Sequence, residues 1–382
     1  MELKGIDVFS GESVRIEIVE ASIHKVEKIE KQGSLPYIAP GFIDIQVNGF
    51  RGSDYSAEDF SENQLRKIVD ALAISGTTQH LPTIITSPKD RIVKNLSVIA
   101  ESISNSEDLR AAIVGIHLEG PYISSEDGPR GAHDLQFVRN PDLAEFEEWQ
   151  KAADGHISMV TLAPEREGAL EFIRKVTETG VRVAIGHTAA DPEIIHEAVH
   201  AGATLSTHLG NGSHGRIPRL RNYIWEQLAE DVLMASIIAD SFHLPKSVTK
   251  VIQRAKGLGR IILISDVAVM AGKEPGIYEW GNISVQVFAD GHLGLAGTEY
   301  LAGAAHLLDW DIVHFMKFTG CSIGEAVSAC TRNPARYFDL PSNFAHLEPG
   351  APAHLVIFQF DTDARRLNII KTIRNGKTIF SE

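Results

Sequence analysis

Residues 42–48, FIDIQVN, are the first of the short apolar segments that decide the fold. Apolar and polar residues alternate in this segment, as in a β-strand whose successive side chains point to opposite faces. The polar side chains of Asp44, Gln46 and Asn48 are therefore expected to share one face. Seven similar segments follow, at 77–85, 111–118, 156–163, 181–188, 203–209, 233–240 and 260–266.

Between most of these strands the apolar residues recur at helical spacing. Two such stripes are Leu65, Ile68, Val69 and Leu72, and then Ile92, Leu96, Ile99 and Ile103. Eight strand–helix alternations predict an α/β fold in which a parallel sheet closes on itself, the (β/α)8 TIM-like barrel. An open doubly wound sheet is the alternative. It is disfavoured because no GxGxxG follows the first strand and because polar residues recur at the strand ends.

The two chain ends consist of short alternating segments without helical periodicity, such as SVRIEIVEASI and HLVIFQFD. We expect residues 1–39 and 345–382 to pair in one small β-sandwich domain beside a barrel of residues 40–344. Asp290-Gly291, between two apolar segments, is a hairpin signal and predicts a β-ribbon after the last barrel strand.

Composition narrows the functional classes. The net charge of −14 argues against a nucleic-acid partner and against docking on an anionic membrane. The N-terminus lacks the apolar core of a signal peptide, and no run of about 18 apolar residues offers a membrane span. Two cysteines do not make a disulfide framework. These features predict a cytoplasmic protein.

The carboxyl ends of the strands surround the active site in a barrel of this kind. Glu119, His187 and His208 stand at three of these ends. Two imidazoles and one carboxylate are the ligand set of a catalytic zinc site, which keeps a fourth position open for water. Asp266, at the end of the last strand, is then free to take up and release protons.

The alternative for each histidine is a hydrogen-bonded structural role, which is more common for a single histidine at a strand end. We assign that role to His80, His306 and His314. For Glu119 and Asp266 it is a weaker explanation, because a carboxylate after a buried strand is costly without a partner. Four such residues at one barrel mouth favour a shared site.

Several further motifs occur in a fixed order along the chain. They are PGFIDIQVNG (40–49), GIHLEGPYIS (115–124), GAH (131–133), IGHT (185–188), THLGNG (207–212), IADSFHLP (238–245), SDVAVMAG (265–272), LAGTEYLAG (295–303) and EPGAPAHLVIF (348–358). The ordered set resembles the N-acetylglucosamine-6-phosphate deacetylases of the amidohydrolase superfamily. This resemblance implies metal-dependent hydrolysis of N-acetylglucosamine 6-phosphate, a linear amide, to glucosamine 6-phosphate and acetate. It also implies a homodimer.

The resemblance bears on metal number as well. Many amidohydrolases carry His-x-His on the first strand, where the two histidines bind a second metal ion, and this chain has Gln46 and Asn48 there. Neutral amides are poor zinc ligands beside imidazole. The resemblance to deacetylases with the same pair therefore implies one divalent ion per chain. The predicted ligand set indicates that this ion is zinc. Alternatively, the two amides only fill a polar barrel floor.

His133 matches the family histidine that contacts the acetyl carbonyl.

Substrate binding is also carried over by resemblance. The family's arginine spacing does not align with residues 214–221, so Arg216, Arg219 and Arg221 are all candidates for the phosphate ligand, and a solvated loop is the alternative. Other amidohydrolase substrates remain open, namely a non-phosphorylated or differently substituted N-acetyl sugar, or an N-acyl amino acid. A barrel protein without catalytic activity also remains an alternative. The implied substrate-binding set is Ala132, His133, Asn211, Gly212, Arg216, Arg219, His243, Leu295, Ala296 and Gly297.

Overall fold

The structure is a computed structural model that describes residues 1–30, 33–280, 283–298, 300–361 and 363–382. Its strands, in chain order, are β1 (Glu2–Asp7), β2 (Ser13–Val19), β3 (Ser22–Lys28), β4 (Tyr37–Pro40), β5 (Phe42–Val47), β6 (Gly49–Phe50), β7 (Ser53–Asp54), β8 (Thr77–Ile85), β9 (Ile116–Glu119), β10 (Ile157–Leu162), β11 (Arg182–Ile185), β12 (Leu205–Ser206), β13 (Met234–Ile237), β14 (Ile261–Leu263), β15 (Gly276–Trp280), β16 (Ile283–Val287), β17 (Leu293–Leu295), β18 (Leu355–Gln359), β19 (Asn368–Arg374) and β20 (Lys377–Ser381). Its α-helices are α1 (Glu62–Leu72), α2 (Lys89–Asn105), α3 (Glu107–Ala112), α4 (Leu143–Ala152), α5 (Ala169–Glu178), α6 (Pro192–Ala201), α7 (Tyr223–Ala229), α8 (Lys246–Lys256), α9 (Leu308–Thr319), α10 (Ile323–Ser328) and α11 (Arg332–Tyr337).

Eight parallel strands form the barrel, in the hydrogen-bonded order β5-β8-β9-β10-β11-β12-β13-β14. Main-chain hydrogen bonds close the ring where β5 meets the segment after β14. The Asp266 N–H donates to the Gln46 carbonyl at 3.0 Å, and the Asn48 N–H donates to the Val267 carbonyl at 3.0 Å. Both apolar stripes that the sequence indicated are buried, on α1 and α2. The predicted (β/α)8 barrel is confirmed.

The first barrel strand, β5, departs from strict alternation. Ile43 and Ile45 pack in the barrel interior with residues from other barrel strands, among them Leu81 of β8 and Met159 of β10. A register shift between Asp44 and Val47 then interrupts the pairing of β5 with β8. Such an irregularity reverses which face the following side chains point to.

This register shift separates the three polar residues of the 42–48 segment. Gln46 and Asn48 reach the barrel mouth, where both side chains contact Asp266. Asp44 instead accepts hydrogen bonds from the backbone N–H groups of Gln46 and Ser265, and its charge acts on Asp311 of α9. The expectation that Asp44 shares a face with Gln46 and Asn48 is therefore wrong.

The two chain ends form one sheet of seven strands, in the order β20-β19-β18-β4-β1-β2-β3. Its far parts fold toward each other, since the Gly350 N–H donates to the Ile23 carbonyl at 2.8 Å and the Ala353 N–H to the Ala21 carbonyl at 2.7 Å. Isoleucines and valines from both parts share one apolar core. The small β-domain built from both termini is confirmed, with its two layers formed by a continuous sheet.

A β-ribbon of three antiparallel strands, β15, β16 and β17, follows the barrel. Its second turn is the predicted Asp290-Gly291 hairpin, in which the Gly291 N–H donates to the Phe288 carbonyl at 2.9 Å. Val285 and Leu293 of the ribbon share a small apolar cluster with Val269 and Met270, which follow the last barrel strand. Among the described residues, no helix has the length and apolar character needed to cross a membrane.

Candidate active site

Three side chains at the carboxyl ends of β9, β11 and β12 meet at the barrel mouth. Glu119 is the last residue of β9, and its Oε1 lies 3.2 Å from the Nε2 of His187 and 2.9 Å from the Nε2 of His208. The two imidazole Nε2 atoms are 3.1 Å apart. All three residues are buried. The structure therefore brings together the three predicted metal ligands.

The arrangement fits a tetrahedral metal site. Ligand atoms about 2.0–2.2 Å from a zinc ion lie about 3.3–3.6 Å from one another in a tetrahedron, slightly farther than the three atoms here. The Nδ1 of His187 donates to the Pro129 carbonyl at 2.7 Å, which fixes the ring with its Nε2 facing Glu119. Although burial opposes ionisation, the hydrogen bonds from His187 and His208 hold the pKa of Glu119 well below its usual range.

A second combination, Glu119 with His133 and His187, also places three ligand atoms within 4.8 Å of one another. In this set, however, His133 binds the Thr86 hydroxyl through its Nδ1 at 2.8 Å. Its ring packs edge-on against His187, with centroids 4.4 Å apart. We therefore favour His208 over His133 as the third ligand.

Gln46 and Asn48 stand at the positions where a second metal ion is predicted to be missing. Their side-chain amides form hydrogen bonds with the carboxylates of the site. The Gln46 Nε2 donates to the Glu119 Oε1 and to the Asp266 Oδ1, both at 3.0 Å. The Asn48 Nδ2 donates to the same Asp266 oxygen at 2.7 Å. These contacts favour the prediction that the two amides orient the carboxylates over the alternative that they only fill a polar floor.

Asp266 combines burial with an unusual backbone. Burial and the charge of Glu119 raise the pKa of Asp266 to about 6. Asp266, His187 and His208 have φ values of +50°, +51° and +31°, in a region that residues other than glycine seldom adopt. Strained backbone of this kind concentrates at functional sites, where surrounding contacts hold it.

A family model described as the amidohydrolase family matches residues 37–379. The chain belongs to the amidohydrolase family. The N-acetylglucosamine-6-phosphate deacetylase of Bacillus subtilis (strain 168) is 32% identical over 345 residues, which are 90% of this chain and 84% of the relative. The Mus musculus N-acetylglucosamine-6-phosphate deacetylase is 34% identical over 354 residues, 90% of this chain and 83% of the relative.

A solved structure agrees with the sequence relatives. An N-acetyl-D-glucosamine-6-phosphate deacetylase variant from Mycobacterium smegmatis, in complex with N-acetyl-D-glucosamine-6-phosphate, has a TM-score of 0.89 and 27% identity. The likeness covers 100% of this chain and 99% of that one. The resemblance that the ordered motifs indicated is confirmed.

In this amidohydrolase, His243 lies in the loop after β13. Its Nδ1 contacts the Asp240 Oδ2 at 2.7 Å, and the backbone N–H groups of Phe242 and His243 donate to the Asp240 Oδ1. Burial opposes ionisation of Asp240, but the contact with His243 lowers its pKa. Asp240 therefore fixes the position of His243. The sequence placed Asp240 at the end of a predicted strand, and that position is the signal that would have indicated it.

The arginines of the loop between β12 and α7 divide into two groups. Arg221 forms ion pairs with Asp191 and Glu193 at the start of α6. The side chains of Arg216 and Arg219 are exposed, and neither forms an ion pair within the described residues. The Arg221 side chain is thus held by its ion pairs with the start of α6. Arg216 and Arg219 are the arginines of this loop that are available to bind a ligand.

The glycine and the asparagine of the same loop lie against the two histidines that are predicted metal ligands. The Asn211 Nδ2 donates to the His208 carbonyl at 3.2 Å. A Cβ on Gly212 would stand 2.8 Å from the Nδ1 of His187, and its φ is +55°. These two residues support the predicted metal ligands directly.

The remaining predicted substrate residues lie on two other segments. Ala132 is in the turn that precedes His133. Leu295 ends β17, the Ala296 N–H donates to the Ser284 carbonyl, and Gly297 continues the turn with a φ of +77°. The described contacts do not join residues 295–297 to the Glu119 cluster.

Sequence reasoning did not find the groups that orient the site histidines. The Pro129 carbonyl binds His187, and the Thr86 hydroxyl binds His133. Thr86 directly follows β8, so its strand-end position was a usable signal. The Pro129 carbonyl is a backbone group in a loop, and no residue pattern points to it.

Proposed function

We propose that this amidohydrolase removes the N-acetyl group of N-acetylglucosamine 6-phosphate, giving glucosamine 6-phosphate and acetate. The observation that carries the proposal is the meeting of Glu119, His187 and His208 beside Asp266 at the barrel mouth. Relatives and a solved neighbour with this activity in their names support the substrate.

One divalent ion, zinc, is the proposed cofactor. When bound by Glu119, His187 and His208, such an ion polarises the amide carbonyl and makes water more acidic. Gln46 and Asn48 donate their amide protons to Glu119 and Asp266, and an NH₂ group carries no lone pair for a metal. This supports a single ion at the barrel mouth.

Asp266 is the proposed general base and acid. Its carboxylate accepts a proton from the attacking water and then delivers that proton to the nitrogen of the departing amine, which is a poor leaving group without it. The hydrogen bonds from Gln46 and Asn48 hold the receiving carboxylate in one orientation. They stabilise its ionised form against the burial that favours protonation.

His133 is the proposed donor to the acetyl carbonyl oxygen. Burial lowers the pKa of His133 to about 3, so the ring is neutral near pH 7. If the Thr86 hydroxyl donates to the Nδ1, the proton of the neutral ring sits on the Nε2. A neutral N–H aimed at the carbonyl stabilises the oxyanion without adding a cation next to the metal ligands.

For the phosphate, we propose Arg216, Arg219 and His243. Arginine binds phosphate through paired charge-assisted hydrogen bonds, each worth about 1.5–3 kcal/mol. For the sugar we propose the loop residues that the family resemblance named. They are Ala132, Asn211, Gly212, Leu295, Ala296 and Gly297.

The test compares kcat/KM for N-acetylglucosamine with and without the 6-phosphate. We expect the phosphorylated sugar to be preferred by roughly one to two powers of ten for each phosphate contact. Arg216→Ala and Arg219→Ala should reduce that preference. Arg221→Ala is the control from the same loop, because its side chain is held by Asp191 and Glu193.

A non-phosphorylated or differently substituted N-acetyl sugar is the second candidate. The exposure of residues 216–219 favours it, since nothing described fixes these arginines toward the barrel mouth. Equal kcat/KM for both sugars, unchanged by either arginine variant, would establish this second candidate. The deacetylase reaction itself would stand.

A further inference from the structure

A second group of metal-binding side chains lies on the outside of the barrel, between α6 and α7. His196 of α6, Glu226 of α7 and Glu230 directly after α7 offer ligand atoms that all lie within 4.8 Å of one another. The His196 Nδ1 is 2.6 Å from the Glu230 Oε1. This group is separate from the barrel mouth and takes no part in the proposed reaction.

The local backbone fixes this arrangement. Glu226 and Glu230 are four residues apart, and the Glu230 N–H donates to the Glu226 carbonyl at 3.0 Å, so this hydrogen bond holds the two residues together at the end of α7. The buried Lys256 donates its Nζ to the Glu230 carbonyl at 2.7 Å and anchors the end of the helix. The two carboxylates are therefore presented to α6 by a rigid segment.

A neighbouring histidine orders the imidazole. His200 lies one turn after His196 on α6, and its Nδ1 bonds the His196 carbonyl at 2.9 Å. The two rings pack edge-on with centroids 4.2 Å apart. This contact restricts the His196 ring on an otherwise exposed helix face.

The charge around the group favours a cation. Within the described residues, neither Glu226 nor Glu230 forms an ion pair with a lysine or an arginine. Glu197, next to His196, adds another carboxylate to an already acidic protein. One imidazole and two carboxylates are ligands that zinc and similar divalent ions accept, with water completing the coordination.

We propose that His196, Glu226 and Glu230 form a surface site for a divalent transition-metal ion, represented by Zn²⁺, that links α6 to α7. Because its ligands are more exposed to water, it binds more weakly than the buried site at the barrel mouth. Its occupation joins two helices that follow the strands leading to His187 and His208. The proposal does not depend on the substrate.

The experiment is a calorimetric titration of the holoenzyme with Zn²⁺. The tight site at the barrel mouth is filled before the titration begins. We expect a second, weaker binding event in the unaltered protein. His196→Ala and Glu230→Gln should each weaken it by more than the roughly tenfold that loss of a supporting hydrogen bond costs at a metal site. Glu197→Gln, which removes a charge but no ligand, and His24→Ala, on the distant β3, should leave it in place.

Thermal unfolding provides the second measurement. Zn²⁺ added beyond the first equivalent should raise the Tm of the unaltered protein and not that of His196→Ala, because a ligand that binds the folded state stabilises it. The proposal is overturned if the weaker event is missing in the unaltered protein, or if it persists at equal affinity in both ligand variants.

Discussion

At the residue scale, Asp266 is the side chain that most clearly separates metal binding from proton transfer. It touches Gln46 and Asn48 and makes no described hydrogen bond to His187 or His208. Asp266→Asn should therefore keep the metal and lower kcat by about a hundred- to ten-thousandfold, the usual contribution of a general acid–base. Steady-state kinetics and metal analysis of the same preparation check this.

His208→Ala is the comparison for Asp266→Asn, because it removes an expected ligand and should lose metal and activity together. A near-normal kcat in Asp266→Asn would mean that another group transfers the proton.

Asp311 gives a prediction about stability. Burial, together with the charges of Asp240 and Asp44, raises the pKa of Asp311 well above its usual value, and neither carboxylate oxygen has a hydrogen-bond partner within the described residues. The folded state thus holds the Asp311 proton more tightly than the unfolded state. Its contribution is most favourable below the unfolded pKa and is lost as pH rises toward the folded pKa.

Asp311→Asn cannot ionise, so its Tm relative to the unaltered protein should increase steadily from pH 5 to pH 8. Each pKa unit that separates the folded and unfolded states is worth about 1.4 kcal/mol. Thermal unfolding at several pH values measures the difference, and a difference independent of pH would contradict the argument. Asp339→Asn, at an exposed position, serves as the control.

At the element scale, the loop after β12 supports a predicted metal ligand through a glycine. A methyl group at Gly212 would stand 2.8 Å from the Nδ1 of His187, the atom that binds the Pro129 carbonyl. Gly212→Ala should therefore weaken metal binding by about ten- to a hundredfold, the cost of disturbing an outer-shell partner. Competition with a chelator measures it.

Gly215→Ala is the matched control in the same loop, because no atom of the described residues lies within 4 Å of its Cβ position and its φ is not in the left-handed region. Equal metal affinity in the two variants would show that the close approach of Gly212 does not position His187.

A series of stacked rings joins the β-ribbon to the barrel. Phe288 and His292 of the ribbon hairpin stack at 4.0 Å, and the series continues through Phe242 and His306 to Trp310 of α9. Phe242 precedes His243, the proposed phosphate contact. The ring of Phe242 therefore connects the ribbon with the substrate side of the site.

Phe242→Ala should raise KM severalfold and leave metal content unchanged, because it frees both the ribbon and the 240–243 loop. Phe318→Ala, whose ring contacts His314 at the other end of the series, is the control. A fall in kcat with an unchanged KM would argue against a positioning role for Phe242.

At the scale of the whole molecule, the prediction concerns metal stoichiometry. Since Gln46 and Asn48 bind carboxylates, one ion per chain should survive desalting and support full activity. Elemental analysis is best made on His196→Ala, in which the proposed surface site is removed. Two retained equivalents in that variant would show that the barrel mouth holds a second ion.

Three statements about the whole molecule stay predictions. They are the domain limits of 1–39 plus 345–382 and 40–344, the homodimer and the cytoplasmic location. The exposed apolar side chains of Leu220 and Trp225 are available to an interface between copies. Sedimentation of the metal-loaded protein tests the homodimer.

The sequence by itself determined the barrel and the central residues of the site. Short apolar and β-branched segments indicated eight strands, because strands that are buried along their length are apolar in their own local sequence. Strand-end position indicated Glu119, His187, His208 and Asp266, because parallel strands of a barrel present their carboxyl ends at one mouth.

Only the tertiary structure decided how these residues are held. The register shift in the pairing of β5 with β8 sends Asp44 away from Gln46 and Asn48, and the alternation within residues 42–48 did not indicate it. The ion pairs of Arg221 join segments about 30 residues apart. Such contacts depend on which segments pack together in space, and the periodicity of a single segment carries no information about its neighbours.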